Sequence, residues 1–165
     1  YLCVNKFGFI GKYQFSLGTL NMFKVRDGKK FLNDPELQEK VFIAYCRVNK
    51  WILRKDIKRN LGKTINGVKI TESGILAAAH LSGAGNVKKF LRSNGTIGFS
   101  DAYGASIEVY LKRFSNYDVS NIIADRNIRN VFDIAVKLYN EKYTDVAMVA
   151  GSDRVKEFKK LLKGD

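Results

Sequence analysis

The stretch Gly8-Phe9-Ile10-Gly11-Lys12-Tyr13-Gln14-Phe15 gathers residue types that can hold a polar ligand. Its glycines permit positive φ and close backbone approach, and the Gln14 amide offers both a donor and an acceptor. Tyr13 presents an aromatic face with a hydroxyl at its edge, whereas Phe15 reads as core. A second group surrounds His80, the only histidine, in Leu76-Ala77-Ala78-Ala79-His80-Leu81-Ser82-Gly83-Ala84-Gly85-Asn86-Val87-Lys88-Lys89-Phe90. An imidazole titrates near neutral pH, so His80 suits either a ligand contact or a packed helical position with one backbone partner. The carboxylates offer less. Glu72 opens a helix, where it serves the dipole; Glu36 and Glu39 fall on the polar side of theirs; no pattern places Glu108 or Asp101. No acidic residue lies between Tyr1 and Arg26. Cys3 and Cys46 are too few for a disulfide framework and read as reduced thiols. No metal-ligand spacing is present, and no cofactor is expected.

These residues need elements to position them. Glycines 8, 11 and 18, set among aromatics, predict loop structure around a short helix from about Gln14. Asn33-Asp34-Pro35 opens the first clear helix: Asp34 caps, Pro35 fits the first turn and Glu36 suits the dipole. Leu37, Val41, Ala44, Tyr45, Val48 and Ile52 recur at three- and four-residue steps, predicting one apolar face through about Ile57. Asn66-Gly67 marks a tight turn between β-like residues 63–65 and 68–70. Thr71 caps a helix over 72–82, which Gly83, Gly85 and Asn86 break, with Asn86 placed to cap a third helix over 87–91. A loop rich in Gly and Ser covers 93–104, and 106–114 reads as helix. Beyond it come a helix over 125–139, a buried strand over 144–150, a capping turn at Gly151-Ser152-Asp153 and a helix over 154–162. The expected class is α+β, a mainly helical domain with a short β-hairpin over 1–117, followed by a small α-β-α segment over 118–165.

With 45% hydrophobic and 12% aromatic residues, the chain can bury a core, and wholesale disorder is excluded. No apolar run approaches the roughly 18 residues of a membrane span. The 29 Lys and Arg residues outnumber the 16 Asp and Glu, for a net charge of +13. Residues 1–117 hold 20 basic and 8 acidic side chains, and residues 118–165 hold 9 and 8, which places a boundary near 117–121. The first segment is therefore drawn to a polyanion: nucleic acid, an anionic membrane or the bacterial cell wall. The first residue is Tyr1, with no basic-then-apolar leader after it, so the N-terminus reads as processed or truncated and no signal peptide is visible.

The first of the two stretches matches the G-x-x-G-x-x-Q pattern of lysozyme-like lytic transglycosylases, and its wording GKYQF is similar to that of phage-borne and secreted muramidases. The second resembles that family's A-A-Y-N-A-G-x-G-N-V signature. The two stand in the family's order, and the resemblance covers residues 1 to about 117. It implies a lysozyme-like fold, peptidoglycan glycan strands as substrate, and cleavage between N-acetylmuramic acid and N-acetylglucosamine. Gly11, Tyr13, Gln14, His80, Gly83 and Asn86 take the positions that line its sugar-holding groove, with Gln14 and the turn after His80 on opposite walls. The sequence departs from the pattern at His80 and Leu81, where the family has Tyr and Asn, so one polar contact with the sugar is lost or made elsewhere. The family's general acid is a single Glu about a dozen residues before the first glycine. Counting back from Gly8 passes Tyr1, so that acid is expected upstream, and His80 and Glu72 are the candidates within the chain. With one acid, the sugar's own acetamido or 6-hydroxyl group acts as nucleophile and favours a 1,6-anhydro product; a second acid permits hydrolysis.

In the tail, Asp125-Arg126-Asn127-Ile128-Arg129-Asn130 and Val146 to Phe158 resemble a fragment of the cytidylyltransferase-like nucleotidyltransferases that phages encode. That resemblance implies a strand-to-helix turn facing nucleotide phosphate at Ser152, Asp153 and Arg154. The H-x-G-H motif of such enzymes is absent. Both resemblances point to a phage virion or a released lysin acting on the cell wall, with other virion proteins as possible partners. The alternative is a non-catalytic basic virion structural or nucleic-acid-binding protein with a lysozyme-like fold. Nucleic acid is the less favoured partner, because Lys and Arg are dispersed and a single Trp gives little platform for bases.

Overall fold

A computed structural model describes residues 1–101, 103–125 and 127. The described residues divide into two units, Tyr1–Ala44 and Tyr45–Asn127, the second running past the change in charge near 117–121. They are mainly helical with one two-stranded antiparallel sheet, an α+β composition. The α-β-α segment expected beyond residue 127, with Ser152, Asp153 and Arg154, lies outside the described residues.

The first unit is built on capped turns. Ile10 and Phe15 exchange two backbone hydrogen bonds of 2.9 Å, closing residues 11–14 into a loop. Helix α1, Leu17–Met22, starts later than the glycine spacing suggests. Gln14 has φ +52°, a left-handed conformation that no helix continues, and Ser16 is the residue whose hydroxyl accepts from Thr19 N–H. Asp27 caps α2, Gly28–Leu32, by accepting from the amides of Lys29 and Lys30. Asp34 caps α3, Pro35–Ile52, by accepting from Leu37 N–H at 3.1 Å, as expected. Phe15 is buried and meets Phe31 edge-to-face, their centroids 6.0 Å apart.

Helix α3 departs from its predicted pattern in two ways. It ends at Ile52 instead of continuing to Ile57, and α4, Arg54–Asn60, follows after Leu53. No Gly or Pro marks this break; Leu53, fully buried, adopts φ −92° and ψ 2°, in the bridge region between helix and strand. The buried side of α3 also holds more than the apolar stripe. Val41 and Ala44 are inside as expected, but so are Gln38, Arg47 and Asn49, while Ile52 is exposed. Gln38 and Arg47 are tolerated because partners reach them: the Gln38 amide accepts from Lys12 N–H and donates to the carbonyls of Tyr1 and Phe31, and Arg47 Nε donates to Ile123 C=O at 3.0 Å.

The second unit carries the larger core. Strands β1, Thr64–Ile65, and β2, Val68–Lys69, pair with Ile65 opposite Val68, and Asn66 (φ +49°) and Gly67 (φ +77°) make the primed turn that their sequence predicts. Helices α5, Glu72–Ser82, α6, Ala84–Arg92, and α7, Ile107–Arg113, follow. Thr71 caps α5 and Ser106 caps α7 through their hydroxyls. Leu53, Ile65, Ile70, Ile75, Val87, Phe90, Ile107 and Leu111 form one buried cluster, each large side chain stabilising the unit by roughly 1.5–3 kcal/mol. Helix α6 begins at Ala84, three residues earlier than expected, because Gly83 (φ +80°) completes the reversal by itself.

Candidate functional site

The loop at residues 11–14 is held from beneath by a side chain outside the motif. Gln38 is fully buried; its Oε1 accepts from Lys12 N–H at 2.9 Å, and its Nε2 donates to the carbonyls of Tyr1 (2.9 Å) and Phe31 (3.1 Å). Gly11 sits directly over that amide with φ +82°. Gln14 Nε2 donates to Gly11 C=O at 2.9 Å, which fixes the side chain against its own loop. Its Oε1 accepts no hydrogen bond among the described residues, so this half-buried amide, tethered through Nε2, keeps an acceptor unused.

Tyr13 is less available than its position in the motif suggests. Its ring stacks on Phe42 with centroids 3.9 Å apart and planes 4° from parallel, so one face is already covered. Its hydroxyl donates to Glu39 Oε2 at 2.6 Å. Burial and that hydrogen bond push the phenol up to about 12. Glu39 accepts in addition from Lys12 Nζ at 2.6 Å and from Tyr1 Oη at 2.7 Å. Burial alone would raise its pKa, but the donors from Lys12, Tyr13 and Tyr1 together outweigh it and hold the carboxyl below the usual range. Lys12 is correspondingly raised, mainly by Glu39. A carboxylate held ionised this way does not deliver a proton; it clamps the rim of the loop.

The remaining candidates lie in the second unit. His80, in the last turn of α5, is half-buried and meets Tyr45 edge-on, with ring centroids 5.7 Å apart. Burial raises the Tyr45 hydroxyl, against a hydrogen bond from Asn49 that lowers it. Gly83 leaves the helix after its N–H donates to Ala79 C=O at 2.8 Å, and the space where its side chain would stand is open. Asn86 does not cap the following helix. It lies within α6, and its Nδ2 donates to Ser82 C=O at 2.8 Å, satisfying a carbonyl at the end of α5. Leu81 is half-buried.

Each carboxylate raised by the sequence has a partner. Glu72 Oε1 lies 2.6 Å from Lys50 Nζ, and Lys50 also donates to Ile122 C=O. Glu36 pairs with Lys40 within α3. Asp101 Oδ1 accepts from the amides of Tyr103 and Ala105, and Glu108 Oε1 accepts from Asn66 Nδ2 at 3.2 Å. Asp56, which the sequence did not single out, is buried against Arg92, with Nε 3.0 Å from Oδ1. Among the described residues no group of three or more His, Cys, Asp or Glu side chains is placed to hold a metal ion, and no helix is long and apolar enough to cross a membrane.

Comparison with protein-family models, with curated proteins and with solved structures finds no significant match. The functional reading therefore stands on the residues themselves. Gln38 and Glu39 are the residues that sequence reasoning missed as supports. Their only local signal is that both follow the cap of α3 and neither fits its apolar stripe; their partners lie far away in sequence.

Proposed function

We propose that this chain handles peptidoglycan glycan strands as the lysozyme-like part of a phage-associated enzyme that cleaves between N-acetylmuramic acid and N-acetylglucosamine. The observation that carries the proposal is the closed loop at residues 11–14, in which Gln14 is fixed in a left-handed conformation with a hydrogen-bond acceptor left open. An amide so mounted costs little further entropy when it meets a sugar hydroxyl or acetamido N–H. The site as described contributes binding and orientation. The proton for the leaving oxygen comes from the glutamate that the resemblance puts about a dozen residues before Gly8, and Glu39, ionised and clamped, is not its substitute. With a single acid, the sugar's own group attacks the anomeric carbon and a 1,6-anhydro end results.

The test is zymography on purified bacterial walls, with this chain beside a version extended upstream to include that glutamate. Clearing by the extended form, lost when the glutamate becomes glutamine, supports the proposal. Failure of both forms to clear walls or to bind neutral N-acetylglucosamine oligomers overturns it. The non-catalytic alternative draws support from the partners found for every carboxylate above, and salt-sensitive retention on DNA without clearing would favour it.

A further inference from the structure

The second unit bears a cationic face that neither the loop at 11–14 nor the turn at Gly83 uses. Helix α4 turns Asp56, Ile57 and Asn60 inward, and at 100° per residue this leaves Arg54, Lys55, Lys58 and Arg59 on one continuous outer arc. All four are exposed, and the hairpin that follows adds exposed Lys63 and Lys69. Asp56 is the only acid between Arg54 and Lys69; it is 1% exposed and joined to Arg92. None of the six cations forms an ion pair among the described residues. The arrangement has a cost. Arg54–Lys58 and Lys55–Arg59 are like-charged at four-residue spacing, each pair destabilising the helix by roughly 0.2–0.5 kcal/mol. Arg54 and Lys55 also stand at the helix start, where the dipole disfavours cations. Asp56 in the first turn and Lys58 and Arg59 in the last suit the dipole, but Asp56 is turned inward and no acid stands on the outer arc beside the four cations, so an external anion is the natural counterweight.

We infer that the face formed by α4 and the β1–β2 hairpin binds the carboxylates of peptidoglycan stem peptides, holding the protein on the wall beside the strand it handles. This rests on the glycan-strand proposal for its partner, but not on the loop at 11–14. Carboxylates fit better than nucleic acid for two reasons. Arg54 lies over the Trp51 ring at 3.8 Å, covering the aromatic surface on which a base would stack. Each guanidinium has one N–H engaged by the helix, Arg54 Nη1 with Trp51 C=O and Arg59 Nε with Lys55 C=O, and the other four cations of the face are lysines. Lysines thus dominate the face, hydrated point charges suited to carboxylates scattered along flexible peptides.

The experiment is co-sedimentation of the 165-residue chain with purified sacculi, beside sacculi whose carboxyl groups have been amidated and beside duplex DNA. A Lys55→Gln/Lys58→Gln/Lys63→Gln variant is run in parallel. The expected result is at least tenfold weaker sedimentation of the variant and an equal loss for the wild type on amidated sacculi, with affinity for neutral N-acetylglucosamine oligomers unchanged. Equal sedimentation on native and amidated sacculi overturns the inference. So does DNA that holds the chain at salt concentrations releasing it from sacculi, which would assign the face to nucleic acid. The amidation arm needs no variant, so a folding defect does not blunt the test. Loss of neutral-oligomer binding alone would count against the glycan loop, not against this face.

Discussion

The Gln38 side-chain oxygen lies 2.5 Å from the point where a Cβ on Gly11 would stand. Gly11→Ala therefore displaces a buried amide that serves four backbone groups, those of Lys12, Tyr1, Phe31 and Leu32, and forces alanine to φ +82°. The left-handed conformation costs roughly 1–2 kcal/mol, and disturbing the amide costs about 1–3 kcal/mol more. Urea unfolding should show a loss of that combined order, and Gln38→Ala in the same chain should recover part of the clash. A Gly11→Ala protein as stable as wild type would refute this account of the loop.

Glu39 titrates below the ordinary carboxylate range when folded, so its contribution to stability is complete above the unfolded value near 4.5 and is lost as pH falls through the folded value. Tyr13 has the opposite consequence at the alkaline end. Its phenol keeps its proton to about 12 when folded, against 10 when unfolded, so stability declines as pH rises from 10 to 12. Thermal melts across pH should show both flanks. Glu39→Gln should flatten the acid flank, and Tyr13→Phe the alkaline one.

Arg92 is half in solvent, but the Asp56 carboxylate it holds is not. Arg92→Ala should cost about 1–3 kcal/mol, because a buried charge loses its partner. Adding Asp56→Asn should recover part of that loss, since a neutral amide needs no counter-charge. Chemical denaturation of the single and double variants checks this, and identical midpoints for both would contradict it.

Gln14→Ala removes an acceptor from the candidate sugar site and one half-buried bond to Gly11. The expected result is about tenfold weaker binding of N-acetylglucosamine oligomers, equivalent to roughly 1.4 kcal/mol, with a melting temperature close to wild type. Calorimetric titration measures the first and a thermal scan the second. Unchanged affinity would remove Gln14 from the site.

The parts of the fold legible in the sequence are those whose cause is local. Asp34 and Thr71 cap the helices they precede, and Asn66-Gly67 turns the hairpin, because each acts on amides within a few residues. The break at Leu53 was not legible, since no residue there resists helix; burial of that leucine accompanies it. Nor was the burial of Gln38 and Arg47, whose acceptors belong to Tyr1, Phe31 and Ile123. The candidate site divides the same way. Gly11, Tyr13 and Gln14 stand out as a motif, whereas the amide beneath them and the carboxylate at their rim emerge only when the chain returns through α3. Asn86 does not fill the capping role its position suggests: its amide reaches backward to Ser82, not forward into its own helix.

Of the two thiols, Cys46 is buried, and burial pushes it up to about 12, so almost no thiolate forms at neutral pH. Cys3 is exposed, and its carbonyl receives the Gly11 N–H at 2.7 Å. A maleimide dye offered to the folded protein would thus attach at one point, hydrogen-bonded through the backbone to the loop at residues 11–14. The native chain supplies its own fluorescent reporter position, and saccharide occupancy could be followed by emission without engineering a cysteine.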